Sequence, residues 1–159
     1  MRARANLALA LVGIVALATC GQTPLPPRLA GLSRSRVVAG PQAERLVRRL
    51  HGRDVTAAAI TVAEYGRRGQ LRVWLARYPD FPTAHRELRT MLAAIRERPT
   101  PFQRPWEDPR MPNRWITVGN GAHHLLWVSG RSLFWLEGAP EAVFAAAEEL
   151  PAPAPVRLV

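Results

Sequence analysis

Between Arg114 and Gly138 apolar and polar residues alternate with a period of two in three consecutive runs, a pattern that predicts a three-stranded antiparallel meander. The first two runs are split by Asn120-Gly121, the dipeptide of type I′ hairpin turns, whose central residues both need positive φ. Gly130-Arg131 supplies a Gly-first, type II′-like second turn. Two-residue loops fix register. They set Thr117 opposite His124, Ile116 opposite Leu125, Leu126 opposite Trp135 and His124 opposite Glu137. One face then carries Ile116, Val118, Leu125, Trp127, Phe134 and Leu136, and reads as core. The other mixes Trp115, Thr117, His124, Leu126, Leu133, Trp135 and Glu137.

The rest of the chain between residues 41 and 150 reads as material packed onto this meander. Pro41 to His51 predicts a short helix with Leu46, Val47 and Leu50 as its stripe and Gly52 as its stop. A strand ending at Tyr65 and a return strand from Gln70 to Tyr78 flank Gly66-Arg67-Arg68-Gly69. Taken as a four-residue loop, it pairs Ile60 with Leu75, Val62 with Val73, Thr61 with Trp74 and Ala63 with Arg72. The strongest helix runs from Pro82 to Arg98, with Ala84, Leu88, Met91, Leu92 and Ile95 on one stripe and Arg86, Arg89, Arg96 and Glu97 opposite. Five prolines between Pro99 and Asn113 predict an extended crossing segment without regular structure. A final helix covers Pro140 to Leu150, with Val143, Phe144, Ala147 and Leu150 directed inward.

The two halves echo each other. Ile60-Thr61-Val62 recurs as Ile116-Thr117-Val118, Trp74-Leu75 as Trp135-Leu136, and Pro79 as Pro140 at the same distance from its tryptophan. Either a pseudo-symmetric fold or chance similarity in an Ala- and Arg-biased chain accounts for this. The expected fold is α+β: about five antiparallel strands, a two-stranded hairpin plus the meander, with helices packed on one face.

Residues 1–19 have the parts of a secretory signal: Arg2 and Arg4, an apolar Leu7–Leu17 stretch, and small residues before a cut. The stretch is short for a transmembrane helix. Leu17-Ala18-Thr19-Cys20 resembles the lipobox of bacterial lipoprotein precursors, although Thr19 departs from the usual small residue before the cysteine. The resemblance is confined to this leader and implies cleavage before Cys20 and diacylglycerol on its sulfur. Gly21 after the cysteine, in place of Asp, implies sorting to the outer membrane, facing the periplasm, if the organism is diderm. Residues 20–40, rich in Pro, Gly, Ser and Arg, read as anchor and flexible tether, and residues 151–159 as a disordered Ala/Pro tail.

Every basic residue is arginine, 22 in all, and the formal charge of +10 falls to +8 once Arg2 and Arg4 leave with the leader. Such a balance favours anionic surfaces, and Arg28, Arg34 and Arg36 in the tether read either as contacts to anionic lipid near the anchor or as a merely solvated linker. Export argues against nucleic acid as a partner. Cys20 is the only cysteine, so no intrachain disulfide forms, and acylation explains its position better than nucleophilic or metal chemistry. His123 and His124 point to opposite faces of a strand, so they do not ligate one metal together. No phosphate loop, nucleophile elbow or CxxC is present, and neither metal nor cofactor is expected.

The candidate binding face is therefore Arg72, Trp74, Trp115, His124, Leu126, Trp135 and Glu137, whose mixture of Trp, Arg and polar groups matches binding hot spots. A membrane-anchored module recognising a protein, a peptide or an envelope polymer is the leading expectation. The alternatives are an envelope enzyme near Asp80, His85 and the proline segment, or a structural accessory in which residues 99–113, with Phe102 and Trp106, cover the tryptophans. His124 opposite Glu137 is expected to be a pH handle, with the carboxylate favouring imidazolium.

Overall fold

The computed structural model describes residues 24–51 and 56–155. Cys20, the leader and residues 156–159 lie outside them. Among the described residues are β1 (Arg28–Leu29), β2 (Leu32–Ala39), α1 (Pro41–His51), β3 (Ala59–Tyr65), β4 (Leu71–Arg77), α2 (Phe81–Glu97), β5 (Trp106–Glu107), β6 (Arg114–Gly119), β7 (Ala122–Ser129), β8 (Ser132–Gly138) and α3 (Pro140–Glu149). All strands join one antiparallel sheet in the order β1-β2-β3-β4-β8-β7-β6-β5. Two four-stranded meanders thus meet through their last strands.

The class is α+β, but the sheet has eight strands where about five were expected. Two extra strands come from the stretch read as a tether. Strand β2 (LSRSRVVA) carries little apolar alternation because only Val38 of its residues is buried; it is an edge strand for most of its length, so its sequence is dominated by solvent. The third, β5, is two residues long and comes from the proline-rich segment. The meander forms in the expected register, with Asn120 and Gly121 both at positive φ.

The β3–β4 hairpin differs by one residue. Its loop is five residues, Gly66 to Gln70, with Gly66 and Gly69 at positive φ and the Arg67 amide donating to Gln70 Oε1. Val62 therefore faces Trp74 and Glu64 faces Arg72, and Trp74 and Arg72 share a face with Val62 and Glu64 instead of Thr61 and Ala63. A one-residue slip exchanges faces because the side-chain period is two.

Helices pack on both faces, not one. Strand β7 explains why: from His124 to Val128 every residue is buried, so each side of the sheet's centre needs a cover. Val143, Ala146 and Ala147 of α3, joined by Leu25 and Leu29, cover Ile116, Leu125, Trp127, Phe134 and Leu136. On the opposite face, Ala84, Leu88 and Leu92 of α2 cover Leu126, Val128 and Leu133, while Ala43 and Val47 of α1 cover Val38, Ile60 and Val62. Helix α2 starts where Asp80 accepts from the Thr83 amide at 2.8 Å with Pro82 in the first turn, and it stops at Arg98 before Pro99. Its stripe is as expected; the face it meets is the other one.

The echo is partly structural. Trp74 pairs directly with Trp135, so a local two-fold axis relating β4 to β8 runs through that pair. Ile60 to Val62 and Ile116 to Val118 do not occupy equivalent strands, since β3 corresponds to β7 and not to β6. The opposite placement of α2 and α3 also breaks the symmetry.

The chain after α3 is held as well: Trp127 Nε1 donates to Pro151 O at 2.8 Å and the Ala154 amide to Val128 O at 2.9 Å. Residues 151–155 are therefore pinned to the fold, contrary to the expected disordered tail.

Beside this region Arg114, 1% exposed, points its guanidinium at Asp108 and Glu148. Nε donates to Asp108 Oδ2 at 2.8 Å and Nη1 to Glu148 Oε1 at 3.0 Å, while Nη2 lies 2.7 Å from Asp108 Oδ2 at an angle that makes no hydrogen bond. Burial works against the Asp108 carboxylate, but the Arg110 amide and the Arg114 and Arg110 side chains outweigh it and hold its pKa below the ordinary value.

Two stability predictions follow from this packing. Leu88→Ala or Leu92→Ala should cost about 2–5 kcal/mol in urea melts, as for other buried leucines; a loss near that of surface sites would place α2 elsewhere. Asp108→Ala should cost about 3–5 kcal/mol by stranding a buried guanidinium, whereas Asp108→Leu with Arg114→Met should lose much less. Equal losses would mean that shape, not charge pairing, governs the site.

Candidate functional site

Register places the side chains of the α1/α2 face in rows across the sheet. One row runs Arg36, Glu64, Arg72, Glu137, His124, Thr117, each directly opposite the next. The adjacent row runs Val38, Val62, Trp74, Trp135, Leu126, Trp115. A further row of Ile60, Ala76, Leu133 and Val128 lies beyond it. All seven residues of the sequence-derived face fall in the first two rows, although the β3–β4 register differs by one residue from the expected one: the β4–β8 pairing restores their common side.

The polar row alternates in charge over its first four members. Arg72 Nη1 donates to Glu137 Oε1 at 2.7 Å, and its Nη2 and Nε donate to Glu64 Oε1 at 3.0 and 3.3 Å. Trp74 Nε1 donates to Glu137 Oε2 at 3.2 Å, and the Arg72 guanidinium lies 5.7 Å from the Trp74 ring centre. The side chains of Arg72, Glu64 and Glu137 remain 31%, 26% and 30% exposed. Solvent-screened pairs of this kind contribute roughly 0–1 kcal/mol each, so their role is positional: they stand Trp74 and Arg72 in fixed orientation.

The other half of the row is sealed. Trp135 Nε1 donates to His124 Nδ1 at 2.9 Å, which places the ring proton on Nε2, 3.1 Å from Gly119 O. Thr117 Oγ1 donates to Gln103 O at 2.7 Å. Phe102 sets its ring edge-on to His124 at 5.0 Å and lies 5.7 Å from Trp135. Gly119 permits that approach, because a Cβ there would strike Pro101 O and the Phe102 ring. The proline segment thus covers His124 and Trp135, while Trp106 is itself 42% exposed. Leu126 is fully buried under α2, and Trp115 packs there with the Arg96 guanidinium 5.0 Å from its ring centre.

His124 is not the expected imidazolium. Burial pushes its pKa below the ordinary 6.5, and the opposing effects of Gly119 O and Glu137 do not reverse this. Glu137 turns instead to Arg72 and Trp74, and a second proton would set Nδ1–H against the Trp135 indole N–H.

What stays open is the corner where the polar row meets α1. A cleft of about 360 Å³ is lined by Arg36, Val38, Leu46, Arg49, Val62, Glu64, Arg72 and Trp74. Its floor is apolar, and Arg36 and Arg49 on its rim are exposed. Arg36, Arg49, Val38 and Leu46 were absent from the sequence-derived site. The i, i+2 relation of Arg36 and Val38 was available, but it was hidden by reading their stretch as a tether.

A second cleft, about 540 Å³, lies along α2, with Phe81, His85, Arg89, Arg96 and Trp115 among its residues. His85 stacks on Phe81 at 5.6 Å. Asp80, considered beside it as an enzymatic acid, serves as the α2 N-cap, and the Thr83 side chain and amide hold its pKa low. Among the described residues no cluster of three or more His, Cys, Asp or Glu could hold a metal ion. No family model, curated protein or solved structure matches the chain.

The His124 geometry predicts a pH response. The folded state resists the proton more than the unfolded state does, so stability is full above about pH 6.5 and falls as pH drops through the folded pKa. His124→Gln should flatten that part of the stability profile in urea melts between pH 5 and pH 8. A parent protein that gains stability on acidification over that range would contradict the neutral, buried ring.

Proposed function

We propose that this protein is a lipid-anchored cell-envelope binding module whose ligand meets the open corner of the sheet formed by Arg72, Trp74 and Glu137 with Arg36 and Arg49. The observation that carries the reading is the contrast along one face. Trp115, His124, Leu126 and Trp135 are occupied by α2 and Phe102, whereas the Trp74 end keeps an apolar floor beneath the exposed guanidinium groups of Arg36 and Arg49. Pockets that bind ligands combine such a floor with a few placed polar groups.

The structural-accessory reading gains from the same coverage: four of the seven expected recognition residues serve stability before they serve a ligand. The open cleft favours binding over it. An enzyme of the envelope is the other alternative, with His85 in the α2 cleft as its candidate residue.

Attachment through Cys20, and with it an outer-membrane position facing the periplasm in a diderm organism, rests on the lipobox-like Leu17-Ala18-Thr19-Cys20. Among the described residues no helix is long and apolar enough to cross a membrane. Nucleic acid is not the proposed partner. Intact-mass analysis of the protein from envelope membranes should give a chain beginning at Cys20 with a diacylglyceryl adduct. An unmodified soluble chain cut at another position would overturn the anchored reading.

A further inference from the structure

The open cleft sits at one end of the sheet, and the chain enters the fold at that same end. Arg34 Nη1 donates to Leu25 O at 2.8 Å and Tyr65 Oη to Pro26 O at 2.9 Å. Arg34 is two residues from Arg36 on β2, and Tyr65 is next to Glu64 on β3, so residues 25 and 26 are pinned at the end of the sheet where the polar row begins, on the opposite, α3-covered face. The expected twenty-residue tether therefore shrinks. From Cys20 to buried Leu25 there are five steps of at most about 3.6 Å, a reach of roughly 18 Å.

The same end concentrates unpaired positive charge. Among the described residues no acid lies within ion-pair distance of Arg36 or Arg49, whereas Glu64 and Glu137 are both engaged by Arg72. The loop joining Tyr65 to Leu71, immediately past the row, adds exposed Arg67 and Arg68. Charge also divides between the layers: α1 carries Arg45, Arg48 and Arg49 against Glu44, and α3 carries Glu141, Glu148 and Glu149 with no basic residue.

We propose that the Arg36–Arg49–Trp74 cleft is a phosphate site for the head group of an anionic phospholipid, by which the anchored domain seats this end of its sheet on the membrane surface. The two arginines on the rim supply charge-assisted donors to phosphate oxygens. Val38, Leu46 and Val62 accept the apolar part next to the phosphate, and Trp74 takes the interfacial position that indoles favour. A volume of about 360 Å³ is in the size range of small-ligand sites and suits a head group. The short reach from Cys20 keeps this end of the sheet near the bilayer. In that respect the proposal rests on the anchored reading, although the cleft chemistry does not.

The test separates the two. The chain from residue 20 onward contains every residue of the described fold, and with Cys20→Ser it cannot be acylated. This protein is sedimented at low salt with phosphatidylglycerol vesicles and with phosphatidylcholine vesicles. It should partition onto the former, and Arg36→Ala and Arg49→Ala should each weaken that partition roughly fivefold, the effect of one basic residue near an anionic surface. Both side chains are exposed, so thermal melts of the variants should match the parent. Arg131→Ala, in the β7–β8 turn at the far end of the sheet, should change partition little. Equal losses for Arg131→Ala would overturn the proposal in favour of diffuse attraction. So would equal partition onto the two vesicle types. Binding of dissolved glycerol phosphate with no vesicle preference would reassign the cleft to a soluble anion. Loss of vesicle binding alongside a confirmed Cys20 adduct would leave the anchor standing and remove the docking site.

Discussion

The antiparallel pairing of β4 with β8 is the contact on which the rest of this molecule depends. It converts two four-stranded meanders into one sheet, and it is made by strands whose residues face each other with complementary chemistry: Arg72 to Glu137, Val73 to Leu136, Trp74 to Trp135, Leu75 to Phe134. Apolar pairs from both sides of these strands feed the cores under α3 and under α1 and α2. The pairing also closes a sheet edge on each meander that would otherwise expose backbone donors and acceptors. Without it, neither the continuous polar row nor the Trp74–Trp135 contact would exist.

The row derives its asymmetry from what lies above it. Both tryptophans at the junction donate an indole N–H to the polar residue diagonally across on the neighbouring strand, Trp74 to Glu137 and Trp135 to His124. One acceptor is a half-exposed carboxylate shared with an arginine; the other is a buried neutral imidazole beneath Phe102. A charge is tolerable at the first position because water and Arg72 reach it. At the second, burial selects the uncharged form. Two related places in the sheet thus became a wet corner and a dry one.

Much of this was legible in the chain. Asn120-Gly121 and Gly130-Arg131 determined the meander register, and the Ala84–Leu88–Leu92 spacing determined the buried stripe of α2. The grouping of Arg72 and Trp74 with Trp135 and Glu137 was also correct, though the hairpin argument for it was off by one residue. What could not be read was contact at a distance. Strand β2 is written in solvent-facing residues, so its period is faint and only its pairing with β3 places Arg36 in the polar row. Which face α2 would choose was equally hidden, because both faces of β7 are apolar; the unbroken apolar run from Leu125 to Val128 was the available sign that a single helical layer would not suffice. Phe102 is brought over His124 by a close approach at Gly119, a relation between residues that no local pattern encodes.

The proposed ligand site is the Trp74 corner, and not the larger cleft along α2. The most direct measurement is a two-dimensional ¹⁵N–¹H spectrum of the tryptophan indoles during titration with a short-chain phosphatidylglycerol kept below its micelle concentration. Trp74 should shift progressively while Trp127 and Trp135, whose N–H groups are committed to Pro151 O and His124 Nδ1, stay in place. A shift of Trp115, which lines the α2 cleft, with Trp74 unmoved would contradict the claim.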